Sequence, residues 1–393
     1  MYMHISYLKR KKKAIVYLLL SSIIIVGLLY VKITGKNYIY KAIWYNFADI
    51  DDYKIFYQST ILPSDKSEKW KISKRYNKTA LNEKLSPIHK KLSTVAFLVI
   101  VGDSILEERY WQGFDTTTIS NSFSMAKSIV SLLIGIALDK GFIESVDQKV
   151  GDFIEDFKVG EKNKITIRHL LTMSSGLNWS ESYSSPFSIT TEAYYGDDLY
   201  KTVSKLKVIE EPGKYYRYKS GDTEILAMVL EKATGMRTSN FASRFLWTKI
   251  GAEKPAFWSL DTKDGMEKAY CCFYATARDF ARIGKLILNN GAWNNDTVVS
   301  LSYLRNALKP NKLINFKTGN QVDFYGWQFW IIPNYKEKGD IFYCRGILGQ
   351  YIICIPYANA VIVRLGKKRG QKIGEAEHFA ETFDFIDAVL EVI

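Results

Sequence analysis

Ser124 and Lys127 open the segment Asn121–Gly141, NSFSMAKSIVSLLIGIALDKG, which is otherwise almost entirely apolar. Residues three apart face the same side of a helix, so the Lys127 amine can approach the Ser124 hydroxyl if a helix begins near Ser124. A serine hydroxyl is a poor nucleophile at neutral pH unless a base lies beside it. The spacing therefore predicts a nucleophilic serine with a lysine as its base.

The apolar side chains behind this pair predict a buried helix that ends at Gly141. An ammonium group removed from water loses solvation, which lowers the pKa of a buried lysine. The positive end of the helix dipole also disfavours the ammonium, and it stabilises the oxyanion that forms when serine attacks. The apolar residues are Ile129, Val130, Leu132, Leu133, Ile136 and Ala137.

The Ser-x-x-Lys pattern is short, and it also occurs at Ser6–Lys9 and Ser204–Lys207, in a membrane-flanking tail and a polar helix. What separates the copy at Ser124 is its context, at the head of an otherwise apolar segment that is predicted to be buried in the folded domain. The alternative interpretation is a lysine that extends along the helix to place its charge in solvent.

A second polar group follows Pro212–Gly213, where Tyr218, Lys219 and Ser220 precede an amphipathic helical pattern. Reactive side chains are often presented on loops next to rigid helices. A tyrosine hydroxyl near a lysine can relay the serine proton to a leaving group, and the Ser220 hydroxyl can hold that relay in place. The alternative is a packing tyrosine, since the chain contains 26 of them.

These motifs resemble those of the serine beta-lactamases and penicillin-binding-protein-like hydrolases. SFSMAKS is similar to the family's nucleophile motif and YKSGDT to its Tyr-x-Ser/Asn motif. IRHLLTMSSGL and TARDFARIGKLILNNGAWN also resemble family segments, which extends the likeness from about Thr94 to the carboxyl terminus. The resemblance is strongest to the class C-type branch, which includes esterases and 6-aminohexanoate-dimer hydrolase. It implies acyl transfer by Ser124, Lys127 and Tyr218 without a metal or organic cofactor.

The family's third motif, Lys-Thr-Gly or His-x-Gly, has its best match at Ile347–Gly349, followed by Gln350. The resemblance implies that Gly349 and Gln350 line the site, with the backbone N–H groups of Ser124 and Gln350 as the oxyanion hole. No cation or histidine occupies the first motif position, which disfavours recognition of a penicillin carboxylate. Arg345 lies nearby, but strand alternation points it to the opposite face from Gly346.

The order of the elements predicts an α+β fold. Two apolar runs flank Gly102–Asp103, which is typical of a hairpin. Helical spacing dominates from Ser124 to about Leu308, and short apolar runs with turn residues return in DIFYCRGILGQYIICIPYANAVIVRLG. An amphipathic helix closes the chain. We expect an antiparallel sheet completed by both ends of the chain, flanked by helices, with a helical region inserted.

The amino-terminal region predicts a membrane anchor. Residues 1–13 form a tail with the basic block Lys9–Lys13, and residues 14–31 form an uncharged apolar run of about 18 residues, near the minimum that spans a bilayer. The positive-inside rule places the tail in the cytoplasm and the rest of the chain outside it. The alternative is a cleaved signal peptide. Residues 32–92 are expected to form a membrane-proximal connector and residues 93–393 the hydrolase domain.

Composition and charge exclude other classes of protein. With 393 residues and 47% hydrophobic content, the chain can bury a large core. The net charge of +13 comes with no basic stripe interleaved with aromatic residues, so nucleic acid is not an expected partner. The four histidines, His4, His89, His169 and His378, lack ligand spacing. We expect them on the surface or as caps, with no metal bound.

The four cysteines allow two pairings to be considered. Cys271 and Cys272 are adjacent, so a bridge between them is not expected. Cys344 and Cys354 flank a predicted hairpin and could pair across it in an oxidising compartment.

Taken together, the sequence predicts a membrane-anchored serine hydrolase for a small amide or ester. Two alternatives stay open. The first is a catalytically idle envelope protein that keeps the fold for binding, because a fold does not secure a function. The second is a D-alanyl-D-alanine peptidase acting on cell-wall peptide.

Overall fold

The computed structural model describes residues 2–374 and 376–393, with side chains from residue 11 onward except residue 24. The α-helices are α1 (Tyr2–Thr34), α2 (Tyr38–Tyr45), α3 (Leu81–Lys91), α4 (Met125–Asp139), α5 (Ile167–Leu171), α6 (Ile189–Tyr195), α7 (Leu199–Ser204), α8 (Ser220–Thr234), α9 (Thr238–Ala242), α10 (Ala277–Leu288), α11 (Leu301–Ala307) and α12 (Ala380–Leu390).

The strands are β1 (Gln58–Ile61), β2 (Lys71–Ile72), β3 (Thr94–Val101), β4 (Ser104–Tyr110), β5 (Ser120–Asn121), β6 (Tyr215–Tyr216), β7 (Ala256–Ser259), β8 (Phe273–Ala275), β9 (Ala292–Trp293), β10 (Asp296–Thr297), β11 (Ile314–Asn315), β12 (Trp330–Ile332), β13 (Ile341–Gly346), β14 (Gln350–Ile355), β15 (Ala360–Gly366), β16 (Lys372–Ile373) and β17 (His378–Phe379). The chain forms two compact units, Met1–Phe47 with Ser182–Asp197, and Ala48–Glu181 with Asp198–Ile393.

The larger unit is built on a sheet with the strand order β12-β13-β14-β15-β3-β4-β2. Neighbouring strands in this sheet are antiparallel, except for the pair β2 and β4, which is parallel. The hairpin at Gly102–Asp103 forms between β3 and β4, and β15 from the end of the chain pairs with β3. The predicted α+β fold, with a sheet completed by both ends of the chain, is therefore confirmed.

Helices cover both faces of this sheet, which explains why β3 and β15 are apolar along almost their whole length. On one face α10 packs so closely that Gly284 has no room for a side chain against Val361. On the other face α12 and α3 enclose a core that includes Phe97, Tyr351 and Phe385. A second sheet, in the order β1-β7-β8-β5, ends at β5, which leads into α4.

Residues 48–92 contribute to the larger unit rather than forming only a connector. Strand β1 pairs with β7, β2 joins the edge of the main sheet, and α3 packs on α12. These strands are short and their periodicity is weak, so sequence patterns do not predict them.

The smaller unit contains α1, α2 and α6. Within α1, an 18-residue window of the 24-residue stretch Lys11–Thr34 has a mean hydropathy of 2.6, and that helix is long and apolar enough to cross a membrane. A signal sequence has the same length and composition. Helix α2 packs on α6, where the rings of Tyr45 and Tyr195 stack with centroids 6.2 Å apart.

The cysteines differ from expectation. A disulfide joins Cys271 and Cys272, so the prediction that these neighbours would not bridge is wrong. The turn can bring the two side chains together because Cys272 adopts a left-handed backbone, with φ of 61°. Cys344 and Cys354 are buried and free, and they are not cross-strand partners, since Cys344 faces Ile352.

Two histidines also differ from the expected surface or capping positions. His169 caps α5 as predicted, because its Nδ1 accepts the Thr166 N–H. His89 and His378 are buried rather than on the surface, and His378 Nδ1 lies 2.5 Å from the Tyr343 hydroxyl. The side chain of His4 lies outside the described residues.

Candidate active site

Ser124 sits at the N-cap of α4, at the end of a tightly held turn. Phe123 adopts a left-handed conformation with φ of 44°, which costs a bulky residue about 1–3 kcal/mol. Two hydrogen bonds compensate: the Phe123 N–H donates to Asn121 Oδ1 at 2.8 Å, and the Ser122 N–H donates to the Phe273 carbonyl at 2.7 Å. The turn therefore fixes a partly exposed Ser124 side chain at the positive end of a buried helix.

Lys127 lies one turn further into α4, and its side chain is only 1% exposed. Its Nζ is 3.0 Å from Ser124 Oγ and donates to the Tyr270 carbonyl at 2.8 Å. Burial lowers the pKa of Lys127 to about 8, although the carboxylates of Glu181 and Glu224 act in the opposite direction. An appreciable fraction of the amine is thus neutral near physiological pH and can take a proton.

Tyr218 lies in the short loop between β6 and α8, with its hydroxyl within hydrogen-bonding reach of Ser124. The Lys127 Nζ is 5.3 Å from the centroid of its ring. The rings of Trp330 and Tyr325 hold it in place, with centroids 5.8 and 6.0 Å away. Burial and the Glu181 charge raise the pKa of Tyr218, against the effect of the Ser124 hydrogen bond. The phenol therefore stays protonated at neutral pH.

Ser220 is the first residue of α8 and is buried. Its N–H donates to Glu181 Oε1, which also accepts the Trp179 Nε1–H at 2.8 Å. The Glu181 charge raises the pKa values of both Lys127 and Tyr218, so this carboxylate lies close to the reactive groups. No sequence pattern marked Glu181, because it approaches the serine only through the fold.

The Tyr270 carbonyl that accepts from Lys127 is itself anchored. The Tyr270 N–H donates to Glu224 Oε2 at 3.1 Å. The disulfide of Cys271 and Cys272 follows directly, and the Cys271 carbonyl accepts the Trp258 Nε1–H at 2.9 Å. The sequence offered no sign of a role for this segment, because a backbone carbonyl can come from any residue type.

The predicted third motif forms the turn between β13 and β14. Gly349 has φ of +80°, and a Cβ there would lie 2.2 Å from Arg364 Nη1, which donates to the Gly349 carbonyl at 2.7 Å. The Gln350 side chain is fully buried, and its Nε2 donates to the Gly366 carbonyl at 2.6 Å. The glycine at position 349 and the Gln350 side chain therefore both help to hold the turn in this conformation.

Gly346, at the end of β13, packs against the turn that carries Ser124. A Cβ on Gly346 would be 2.3 Å from the Ser122 carbonyl oxygen and 3.1 Å from the Phe123 Cβ. Arg345 instead stacks over the Trp330 ring, with its guanidinium carbon 3.4 Å from the ring centroid. Only a glycine lets β13 approach the serine turn this closely.

A model of the family described as Beta-lactamase matches residues 80–380, which covers every residue of this cluster. The chain belongs to the serine beta-lactamase family.

Individual relatives agree with this family assignment. A 6-aminohexanoate-dimer hydrolase from Paenarthrobacter ureafaciens is 28% identical over 305 residues, which cover 73% of this chain and 76% of the relative. A Bacillus anthracis structure provisionally described as a 6-aminohexanoate-dimer hydrolase superposes with a TM-score of 0.71 at 20% identity, covering 87% of this chain and 92% of that one. A class C beta-lactamase superposes with a TM-score of 0.57 at 14% identity, covering 80% and 96% of the two chains. The predicted resemblance to this family is confirmed.

Within this beta-lactamase fold, the structure brings Ser124, Lys127 and Tyr218 together. Ser220 is buried at the start of α8, two residues after Tyr218. Gly349 and Gln350 lie in the turn between β13 and β14, where the Gln350 side chain donates to the Ile347 and Gly366 carbonyls, and their backbone role in an oxyanion hole stays a prediction. Among the described residues, no group of His, Cys, Asp and Glu side chains is arranged to hold a metal ion.

Proposed function

We propose that this chain is a membrane-anchored serine hydrolase that cleaves a small amide or ester through an acyl-enzyme. The observation that carries the proposal is the 3.0 Å approach of a buried Lys127 amine to a partly exposed Ser124 hydroxyl. A neutral amine at this distance is a base within hydrogen-bond reach of the proton that it must remove.

In this mechanism Ser124 Oγ attacks the substrate carbonyl while Lys127 Nζ takes its proton. Because its pKa is raised, Tyr218 acts as a protonated relay that delivers a proton to the leaving amine or alcohol. The Lys127 ammonium then reprotonates Tyr218, which restores both groups. Water attacks the acyl-serine ester and gives its proton to the Lys127–Tyr218 pair, and the same pair protonates Ser124 Oγ as the acyl group leaves as the acid.

Two backbone donors are proposed to hold the oxyanion. The N–H of Ser124 lies at the first turn of α4, where helix N–H groups have no partner within the helix. The second donor is expected in the turn Gly346–Gln350. The resemblance favours the N–H of Gln350, whereas the packing of Gly346 on Ser122 favours the Gly346–Ile347 end.

The amide preference rests on the relative named 6-aminohexanoate-dimer hydrolase, since two amino acids are joined in a dimer through an amide. The missing cation at the first position of the third motif supports a substrate other than a penicillin. Anchoring rests on the apolar helix α1 and the basic block before it.

A fluorophosphonate probe tests the proposal, because it reacts with an activated serine. We expect stoichiometric labelling of Ser124, seen by mass spectrometry of the tryptic peptide, and hydrolysis of p-nitrophenyl esters or p-nitroanilides. Ser124→Ala should abolish labelling and lower kcat by about 10⁴-fold or more. Ser128→Ala is the matched control, since Ser128 lies on the same helix and donates to the Gln328 carbonyl instead.

The same experiment separates the enzyme from an idle binding protein. An unlabelled Ser124 after long exposure, in a protein whose folding is verified by circular dichroism, would support the idle interpretation. Full esterase activity in Ser124→Ala would refute the assignment of the nucleophile.

A further inference from the structure

Helix α2 is apolar on two opposite faces. Its inner face, with Tyr38, Ile39 and Ala42, is buried. Its outer face presents Tyr40, Ile43 and Trp44 at helical spacing, and the exposed Phe47 follows two residues after the helix ends. A helix that is hydrophobic all round is typical of a core or a membrane rather than of a water-exposed surface.

The outer face is strongly exposed. Ile43, Trp44 and Phe47 are 70%, 83% and 69% exposed, respectively. Large contiguous apolar patches on a protein surface mark sites that bind another apolar surface. We call Tyr40, Ile43, Trp44 and Phe47 the juxtamembrane face.

The connection between α1 and α2 determines which surface lies next to this face. Only residues 35–37 separate the end of α1 from the start of α2. The Tyr40 hydroxyl donates to the Leu28 carbonyl at 2.9 Å, so α2 folds back beside the last turns of α1. Leu28 lies six residues before the end of α1, which corresponds to about 9 Å along the helix axis. If α1 crosses a bilayer, α2 lies at the depth of its headgroup boundary.

The chemistry of the face fits that depth. Tryptophan and tyrosine are enriched at membrane interfaces, where one part of the ring is in the apolar region and the other is hydrated. The nearby cation Lys36, just after α1, can reach the phosphate region with its flexible side chain. A protein partner would compete for the same space as the lipid around α1.

We propose that the juxtamembrane face is an interfacial anchor that docks on the outer surface of the phospholipid bilayer. The proposal rests on the membrane anchoring by α1 that is part of the proposed function. Since α6 packs on α2, segment 182–197 is held near the bilayer together with its exposed Tyr183 and Phe187.

Depth-dependent fluorescence quenching tests the proposal with the full chain in phosphatidylcholine vesicles. Trp44→Cys is labelled with a nitrobenzoxadiazole probe, and lipids carry a nitroxide either near the headgroup or deep in the acyl chain. The native cysteines do not compete, because Cys344 and Cys354 are buried and the other two are bridged. Ile23→Cys reports on α1, and Lys41→Cys is the matched control on the side of α2.

We expect blue-shifted emission at position 44, with stronger quenching by the shallow nitroxide than by the deep one. Position 23 should show the reverse order, and position 41 should stay accessible to aqueous iodide. Quenching at 23 without quenching at 44 would overturn the interfacial anchor but leave α1 as a span. Equal responses at 41 and 44 would contradict docking through this face. No quenching at 23 or 44 would overturn both the anchor and the proposed span.

Discussion

The charge state of Lys127 depends on a competition between burial and two carboxylates. Burial is the larger effect and brings the pKa of Lys127 down from 10.5 to about 8, while Glu181 and Glu224 favour the ammonium. Glu224 is the weaker source of negative charge, because burial raises its own pKa well above the ordinary value. The hydrogen bond from Nζ to the Tyr270 carbonyl holds the amine in place in either charge state.

The first prediction concerns pH. A base acts in its deprotonated form, so kcat/KM for an uncharged substrate should rise about tenfold per pH unit below the Lys127 pKa and level off above it. The midpoint is expected near pH 8, the pKa of Lys127. Lys127→Arg should lower kcat/KM by about 100-fold or more at every pH, because a guanidinium does not deprotonate. A pH-independent rate for the wild type, measured with a chromogenic ester, would contradict lysine as the base.

The second prediction concerns Glu181. Glu181→Gln keeps an oxygen that can accept from Trp179 and Ser220 but removes the negative charge. Because that charge raises the pKa of Lys127, its loss should move the ascending limb of the pH profile to lower pH. The plateau rate should change little. Glu155→Gln, on the exposed surface, is the control and should leave the limb in place. An unmoved limb in Glu181→Gln would show that this carboxylate does not act on the base.

At the scale of elements, three separate segments meet at the first turn of α4. The turn at Phe123 sets the angle of the serine, the loop before α8 supplies Tyr218, and β13 closes the third side. Each segment is rigid for a different reason: a hydrogen-bonded left-handed turn, an aromatic cluster around Tyr218, and a strand within the main sheet. The site therefore depends on contacts that lie far apart along the sequence.

The third prediction tests the close approach of β13. Gly346→Ala would place a methyl group 2.3 Å from the Ser122 carbonyl oxygen, so either the strand or the serine turn must move. Its φ of −118° is allowed for alanine, so the effect is steric. We expect kcat to fall roughly 10- to 100-fold, as small displacements of reacting groups do. Stability should fall by about 1–3 kcal/mol in urea unfolding.

Gly284→Ala is the control for this prediction. Its Cβ would meet Val361 and Ile352 between α10 and the sheet, so it should lower stability in a similar way. Because it lies away from the serine turn, kcat measured well below the unfolding temperature should stay near the wild-type value. An active Gly346→Ala enzyme would show that β13 does not constrain the nucleophile.

Across the whole molecule, sequence patterns predicted the features that depend on residues close together in the chain. The spacing of Ser124 and Lys127, the apolar circumference of α4 and its stop at Gly141 all follow from helix geometry, and the structure contains that helix. The hairpin at Gly102–Asp103 was equally clear, because alternation and turn residues are local features. The α+β order followed from strand groups at both ends of the domain.

These patterns do not predict contacts between residues that are far apart in the sequence. Glu181 and the Tyr270 carbonyl reach Lys127 only after the chain has folded, and neither residue type is distinctive. The approach of Gly346 depends on the register of β13 against β14. The disulfide between Cys271 and Cys272 depends on a left-handed backbone that is uncommon for cysteine. The third-motif residues Ile347–Gly349 lie in the turn between β13 and β14, and which backbone N–H of this turn faces Ser124 depends on the same long-range packing.

The fourth prediction concerns the orientation of the whole chain. The block Lys9–Lys13 precedes the proposed span, whereas only Lys32 and Lys36 follow closely, so the cation bias should keep the amino terminus inside the cell. With an epitope tag at each end, protease added to intact spheroplasts should remove the carboxyl-terminal tag and leave the amino-terminal tag protected. After detergent lysis both tags should be lost.

Replacing the five cations of Lys9–Lys13 with glutamine provides the matched variant, because it leaves the apolar span unchanged. Its cation bias then favours the opposite direction, so a fraction of the chains should protect the carboxyl-terminal tag instead. Protection of that tag in the wild type would contradict the proposed topology. Loss of the amino-terminal tag from the mature chain would identify the segment as a cleaved signal sequence, since only cleavage separates the tag from the catalytic unit without added protease.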